Sequence, residues 1–186
     1  MVRHSACIGL GSNLGPSLHI LQAAWSAKQE TPGVEASRLS SPYRSRPIDM
    51  DSPHWFINAV CLIRTTLDPL TLLRCLQTIE TSFGRRRDPL ITGYQDRPLD
   101  LDLLLYDDLR LDSPQLTLPH PRMGERCFVL EPLLEILDGE VPSPFVEPLS
   151  AWVQSRRDQL GDQDIERLCW SETTASTIRQ AGEKVS

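Results

Sequence analysis

The order of apolar and polar positions divides the first part of the chain into a strand, a helix and a second strand. Residues 6–10 form a short apolar run that ends at the glycine-rich segment 11–16, a pattern typical of a strand followed by a turn. Apolar residues then recur at helical spacing over residues 18–30, which predicts a helix. Residues 34–43 lack a helical stripe and end before prolines, so we expect an edge strand there.

The middle of the chain contains a second helix between two apolar segments. Residues 56–66 are apolar and β-branched, which favours a buried strand. Asp68 is a candidate N-cap with Pro69 at the first helical position, and the helix that follows is predicted to end near Gly84. Residues 99–106 become wholly apolar and are predicted to form a central strand.

The last part of the chain is predicted to add smaller elements to this core. We expect a hairpin at residues 107–118, helical segments within 123–137 and a final helix over 151–168. Residues 171–186 have almost no apolar side chains and are predicted to form a disordered tail behind one domain of residues 1–170. The order β-α-β-β-α-β predicts an α+β fold with a ferredoxin-like βαββαβ core and a mostly antiparallel sheet.

Composition narrows the possible functions. The 186 residues carry a net charge of −6, and such an acidic chain is a poor general partner for nucleic acid. No stretch approaches 18 consecutive apolar residues, and the N-terminus reaches glycines too early for a signal peptide, so we expect a cytoplasmic protein without a membrane partner. Five scattered cysteines predict buried free thiols, and four histidines lack the spacing of a zinc site. We expect a monomer.

The strongest local motif is a pair of carboxylates on the predicted central strand. Asp100 and Asp102 are two residues apart, so in a strand their side chains share a face at about 7 Å. Their mutual repulsion requires compensation, and Mg²⁺ characteristically binds one or two carboxylates together with substrate phosphates. The alternative is that both carboxylates lie on a solvated face of the strand.

Four arginines flank the loop that leads to this pair. Arg85, Arg86, Arg87 and Arg97 suit polyphosphate chemistry, because phosphoryl transfer spreads negative charge over several oxygens. We expect the loop of residues 85–96 to close as a lid over bound substrates. A solvated basic loop is the alternative interpretation.

Two further motifs carry less information. Residues 11–15 either cradle a phosphate or form a plain turn between strand and helix, since they lack the lysine of a P-loop. His120 lies between two prolines and is either a structural histidine or a base beside Arg126 and Phe128.

Seven short motifs follow one another along the chain: residues 8–15 (IGLGSNLG), 41–45 (SPYRS), 58–60 (NAV), Gln77 and Glu80 before 84–85, 97–102 (RPLDLD), 119–121 (PHP) and 126–133 (RCFVLEPL). This ordered set resembles the 6-hydroxymethyl-7,8-dihydropterin pyrophosphokinase family of folate biosynthesis. The resemblance covers residues 6–137 and extends more weakly to about Trp170.

The resemblance implies a three-layer α/β/α domain that transfers pyrophosphate from ATP to the hydroxymethyl group of the pterin and releases AMP. It implies that Asp100 and Asp102 hold two Mg²⁺ ions, and that Arg85 and Arg97 steady the transferring group. The implied ATP-binding positions are Gln77, Glu80, Arg87, Thr117, His120 and Arg126. The implied pterin-binding positions are Ser45, Ile48, Phe56, Asn58, Tyr94 and Phe128.

The sequence also departs from the family pattern. Residues 93–97 read GYQDR where the family usually has RWGPR, which leaves the register of Tyr94 open. The additional acid Asp96 is expected to weaken phosphate attraction beside Arg97. Gln115 stands where some members carry an arginine that binds ATP.

Two rival functions remain at this stage. A nucleotidyltransferase also combines a Gly-Ser turn with an Asp-x-Asp strand, but there the two lie close in sequence, whereas Ser12 and Asp100 are far apart. An RNA-binding module on a ferredoxin-like sheet needs exposed aromatics and a basic face, and this chain has only 6% aromatic residues and an acidic balance.

Overall fold

The structure is a computed structural model that describes residues 2–48, 52–85, 95–137, 141–161 and 163–171. Within these residues the main sheet has six strands, and two more strands form a small hairpin. The strands are β1 (His4–Ser12), β2 (Val34–Leu39), β3 (Tyr43–Ser45), β4 (Phe56–Thr65), β5 (Asp100–Tyr106), β6 (Leu111–Asp112), β7 (Thr117–Leu118) and β8 (Ile165–Arg167). The helices are α1 (Ser17–Gln29), α2 (Pro69–Ser82), α3 (Cys127–Ile136) and α4 (Leu149–Gln159), and a 3-10 turn at Met123–Glu125 precedes α3.

The topology of the main sheet is that of a split βαβ fold. The strands lie in the order β5-β1-β4-β3-β8, and β2 shares the outer edge of β4 with β3. Every pairing in this sheet is antiparallel. The predicted α+β class with a ferredoxin-like βαββαβ core is therefore confirmed, and β8 extends the sheet beyond that core.

Helices cover both faces of the sheet, which gives the three layers that the resemblance implies. Since side chains alternate along a strand, neighbouring residues of β1 and β4 enter different cores. One core joins the sheet to α1 and α2 and contains Ile8, Leu21, Ile63, Leu72 and Leu76. The other joins it to α3 and α4 and contains Cys7, Val60, Leu104, Leu130 and Val153.

Local chemistry explains where α2 begins. The side chain of Asp68 accepts hydrogen bonds from the backbone N–H groups of Leu70 and Thr71, at 3.1 and 3.0 Å. Pro69 occupies the first helical position, where its missing N–H costs nothing. The predicted N-cap is confirmed, and α2 thereby carries Glu80 to the start of β5.

The structure corrects two predicted elements. The strand expected over residues 34–43 breaks into β2 and β3, because the Ser40 hydroxyl accepts from the N–H of Val60 at 3.0 Å and Pro42 has no N–H to donate. The final helix predicted over residues 151–168 instead ends at Gln159, just before Gly161, and residues beyond it form β8 against β3. Glycine disfavours a helix interior, and pairing at the sheet edge supplies the alternative.

Three other predictions can be compared with the described residues. Cys7, Cys61 and Cys127 are buried free thiols as expected, but Cys169 is exposed. None of the helices in the described part of the chain is long and apolar enough to span a membrane. Nearly all of the predicted tail, residues 172–186, lies outside the described residues.

Candidate active site

A cleft opens on the α3 side of the sheet, where β1, β4 and β5 lie side by side. Its floor is formed by two glycines of β1, because Gly9 and Gly11 both line the cleft and present no side chain to it. Across the sheet, Gly11 is paired with Asn58 of β4 and with Asp100 of β5. A Cβ atom at residue 11 would lie 3.2 Å from the Oδ1 of Asn58, so glycine keeps this floor open.

Five of the six predicted pterin-binding residues line one end of this cleft. They are Ser45, Ile48, Phe56, Asn58 and Phe128. Tyr94 lies outside the described residues. Because these residues come from β3, the loop after it, β4 and α3, only the folded chain brings them together.

A hydrogen bond fixes the orientation of the polar side chains at this end of the cleft. Asn58 and Ser45 are buried, and the Nδ2 of Asn58 donates to the Oγ of Ser45 at 2.9 Å. This bond turns the Oδ1 of Asn58 towards the glycine floor, where it is available as an acceptor. The aromatic rings of Phe56 and Phe128 provide the apolar surface. A flat ligand with hydrogen-bond donors on its edge fits this combination.

The other end of the cleft is charged, and Asp100 lies at its centre. The carboxylate of Asp100 pairs with Arg97, with Nη2 to Oδ2 at 2.5 Å, and its Oδ1 accepts from Arg85. Arg85 also binds Glu80, whose Oε1 accepts from the backbone N–H of Leu101 at 2.7 Å. The structure therefore brings the two predicted catalytic arginines onto one of the two predicted metal-binding carboxylates.

Asp102 lies on the same face of β5 as Asp100, as predicted, and lines the cleft with Arg126. Burial raises the pKa of Asp102 to about 7, the charge of Asp100 adds to this, and Arg126 and Arg97 oppose it. In this environment the negative charge of Asp102 is only partly compensated.

Two carboxylates on one strand face repel each other, and a hard divalent cation bound beside them would offset this repulsion. No group of three or more metal-ligating side chains occurs among the described residues, so a cation here would draw its other ligands from water and from a bound phosphate. Mg²⁺ has this preference, since it keeps several waters and uses one or two carboxylates beside substrate phosphates.

Four predicted ATP-binding residues are not among the residues that line the cleft. Gln77 is exposed on α2, Thr117 is half-buried on β7, and Glu80 is buried against β5 and Arg85. Burial lowers the pKa of His120 to about 4, with Arg126 adding to the effect, so this imidazole is neutral at pH 7. ATP binding by these four residues stays a prediction. The fifth, Arg87, lies outside the described residues.

The sequence did not reveal how Arg97 is held. The glycine-rich turn positions Asn13, whose Oδ1 accepts from the backbone N–H of Arg97 at 2.8 Å and whose Nδ2 donates to Asp96 at 2.5 Å. Asp96 also binds Ser52 and His54, at 2.7 and 2.8 Å. Burial acts to raise the pKa of Asp96, but these hydrogen bonds outweigh it and lower the pKa.

This arrangement explains two features that the sequence left open. Residues 11 and 12 belong to β1, and the turn after them positions Asn13, which binds the backbone of Arg97; a contact of segment 11–15 with phosphate stays a prediction. The carboxylate of Asp96 forms hydrogen bonds with Asn13, Ser52 and His54, and these partners stabilise its negative charge. Arg46 also lines the cleft and was not among the predicted site residues.

Aromatic and amide side chains beside clustered arginines and paired carboxylates are typical of transferases that act on phosphate chains. The model of the 7,8-dihydro-6-hydroxymethylpterin-pyrophosphokinase family matches residues 7–138. The chain belongs to this family, which makes it a transferase of folate biosynthesis.

Individual relatives agree with the family match. A 2-amino-4-hydroxy-6-hydroxymethyldihydropteridine pyrophosphokinase of Synechocystis is 44% identical over 133 residues, which cover 72% of this chain and 66% of that protein. The protein of the same name from Porphyromonas gingivalis is 40% identical, covering 74% of this chain and 95% of its own length. A crystal structure of HPPK-DHPS in complex with substrates has a TM-score of 0.68 over 90% of this chain and 47% of that chain. At 12% identity this likeness concerns the fold alone, and our chain spans about half of that bifunctional protein.

Proposed function

We propose that this chain transfers the pyrophosphoryl group of ATP to the hydroxymethyl oxygen of 6-hydroxymethyl-7,8-dihydropterin. The hydroxyl oxygen bonds to the β-phosphorus and gives up its proton to solvent, and the bond from that phosphorus to the α-bridging oxygen breaks. AMP leaves with this oxygen. The observation that carries the proposal is one cleft that joins an amide-and-aromatic slot directly to arginines and paired carboxylates.

The apolar end of the cleft binds and orients the pterin. Asn58 offers its Oδ1 to N–H groups on the edge of the ring, while Ser45 holds the amide in place. Phe56 and Phe128 supply aromatic surface for the ring system. Asp100 lies across the glycine floor from Asn58, so the hydroxymethyl group of a pterin bound to Asn58 is directed towards the charged end.

The charged end binds the phosphate chain. Arg97 and Arg126 line it, and their guanidinium groups favour the negative charge that builds on the phosphoryl oxygens. Arg85 and Arg97 bind Asp100 in this structure, so we expect them to exchange that carboxylate for phosphate oxygens when ATP enters.

Asp100 and Asp102 are the residues that would hold Mg²⁺, and we propose two ions. Mg²⁺ held by these carboxylates would offset the charge of the triphosphate and make the β-phosphorus more electrophilic. Arg97 and Arg126 place their charges on the same face of the sheet and so hold the phosphates against these carboxylates.

The direct test is an assay with ATP, Mg²⁺ and the hydroxymethyl dihydropterin, with nucleotide products separated by chromatography. AMP and the pterin diphosphate in equal amounts support pyrophosphate transfer. Release of free pyrophosphate with a nucleotidylated product would instead support the rival nucleotidyltransferase. Product formation that continues in both Asp100→Ala and Asp102→Ala would contradict the assigned site.

We further propose that the chain acts in the cytoplasm as a monomer, as the sequence predicts. Light scattering during size-exclusion chromatography tests the oligomeric state, with 21.0 kDa expected for one chain.

A further inference from the structure

The start of α3 forms one wall of the cleft, yet the residues next to it supply no side-chain cap. Arg126 occupies the N-cap position and makes no capping hydrogen bond with its side chain. The first N–H groups of a helix have no partner within the helix, and a buried one needs a partner from elsewhere. The N–H of the buried Cys127 donates to the Oε1 of Gln163 at 2.7 Å. The cap of α3 thus comes from a residue 36 positions further along the chain.

The amide of Gln163 holds this turn on both sides of Arg126. Its Oε1 accepts from Cys127, and its Nε2 donates to the carbonyl oxygen of Glu125 at 2.9 Å. Arg126 and Phe128 both line the cleft, and the guanidinium of Arg126 lies 5.6 Å from the ring centroid of Phe128. One side chain outside the cleft therefore fixes the backbone from which two cleft side chains project.

The residues that follow Gln163 attach to β3, which lines the cleft through Ser45. Gln163 lies two residues before β8, in which Ile165 is paired with Ser45 of β3. The N–H of Leu168 donates to the carbonyl of Pro42 at 2.8 Å, which continues the attachment. Because Ser45 itself binds Asn58, the segment 163–168 connects the β3 wall to the α3 wall. It lies beyond residues 7–138, which the family model matches.

We propose that Gln163 is a positioning residue that sets Arg126 and Phe128 for substrate binding. The inference rests on the proposed function, in which these two side chains meet the phosphates and the pterin. Only an amide serves both bonds, because a carboxylate at this position accepts from Cys127 but cannot donate to Glu125.

The test compares Gln163→Ala with Gln159→Ala, a matched change on the exposed end of α4 where the side chain forms hydrogen bonds with Ser155 and Arg156 of the same helix. We expect Gln163→Ala to raise the dissociation constant of the pterin about 10-fold, measured with Mg²⁺ and a non-hydrolysable ATP analogue, because small misplacements of binding groups are costly. Hydrogen exchange at residues 127–130 of the ligand-free protein should also accelerate about 10-fold, since the first turn of α3 loses its cap. Gln163→Glu should give an intermediate effect, and Gln159→Ala none.

A purely structural role predicts a different result. If Gln163→Ala lowers the melting temperature but leaves both the pterin dissociation constant and the exchange of residues 127–130 unchanged, the proposal is overturned. Failure of the unaltered protein to bind pterin would contradict the proposed function instead. The exchange measurement needs no substrate, so it still decides whether Gln163 sets the start of α3.

Discussion

Replacement of Asp102 by asparagine should stabilise the fold while abolishing turnover. Burial raises the pKa of this carboxyl from 3.8 to about 7 in the native state. Each pKa unit corresponds to about 1.4 kcal/mol, so above pH 7 the ionised carboxylate lowers the stability of the native state by about 4 kcal/mol. The neutral amide of Asp102→Asn avoids most of this cost. For a chain of this length a gain of about 1 kcal/mol raises Tm by about 2–4 °C.

The pH dependence of the gain identifies its origin. The native state binds the proton more tightly than the unfolded chain, so wild-type stability improves as pH falls from about 7 towards 3.8. The advantage of Asp102→Asn should therefore be largest at pH 8 and fall to about 40% of that value at pH 5, as measured by urea unfolding. A gain that is equal at the two pH values would refute the electrostatic explanation.

Asp100→Asn provides the control two residues away. Asp100 pairs with Arg85 and Arg97, so its neutralisation weakens two ion pairs. We expect this variant to be less stable than wild type at pH 8, by at least about 1 kcal/mol. Opposite signs for the two variants would show that neighbouring carboxylates on one strand face play different electrostatic roles.

Three further changes test other parts of the molecule. Arg97→Ala should lower kcat about 100-fold and leave the KM for pterin nearly unchanged, because its charge acts mainly in the transition state; a raised KM with normal kcat in steady-state kinetics would show a role in binding alone. Gly11→Ala should raise the KM for pterin about 10-fold by crowding the Oδ1 of Asn58, whereas Gly161→Ala, which meets nothing within 4 Å, should not. Lys28→Met should raise stability in urea by about 1 kcal/mol or more, since Lys28 is buried and its Nζ donates to the Sγ of Cys61 at 3.1 Å; a loss of stability would contradict this.

Local signals were sufficient wherever a few adjacent residues decide the structure. Asp68 followed by Pro69 predicted the start of α2 because the cap is made within three residues. The alternation around Asp100 and Asp102 placed both carboxylates on one face, because the strand period alone determines it. Elements of this kind can be predicted without knowledge of the rest of the fold.

Features that depend on distant parts of the chain could not be predicted in this way. The end of α4 and the formation of β8 depend on an open edge at β3, which is more than 100 residues earlier in the sequence. The environment of Asp96 depends on a hydrogen bond from Asn13, and no local sequence pattern predicts a bond between residues 83 positions apart. The family resemblance located the cleft residues, but it gave no indication that Arg85 and Arg97 share Asp100 in the structure described here.

The glycine floor has a consequence for how ligands can be found. Gly9 and Leu104 belong to the face of the sheet that packs against α3, so the cleft is a continuation of the second core in which side chains are missing. A bound heterocycle completes that core, and its binding free energy adds to the stability of the whole domain. At 100 times its dissociation constant a ligand contributes about 2.7 kcal/mol. For a domain of this length such a gain corresponds to about 5–10 °C in melting temperature, enough for thermal-shift screening to detect new occupants of the cleft.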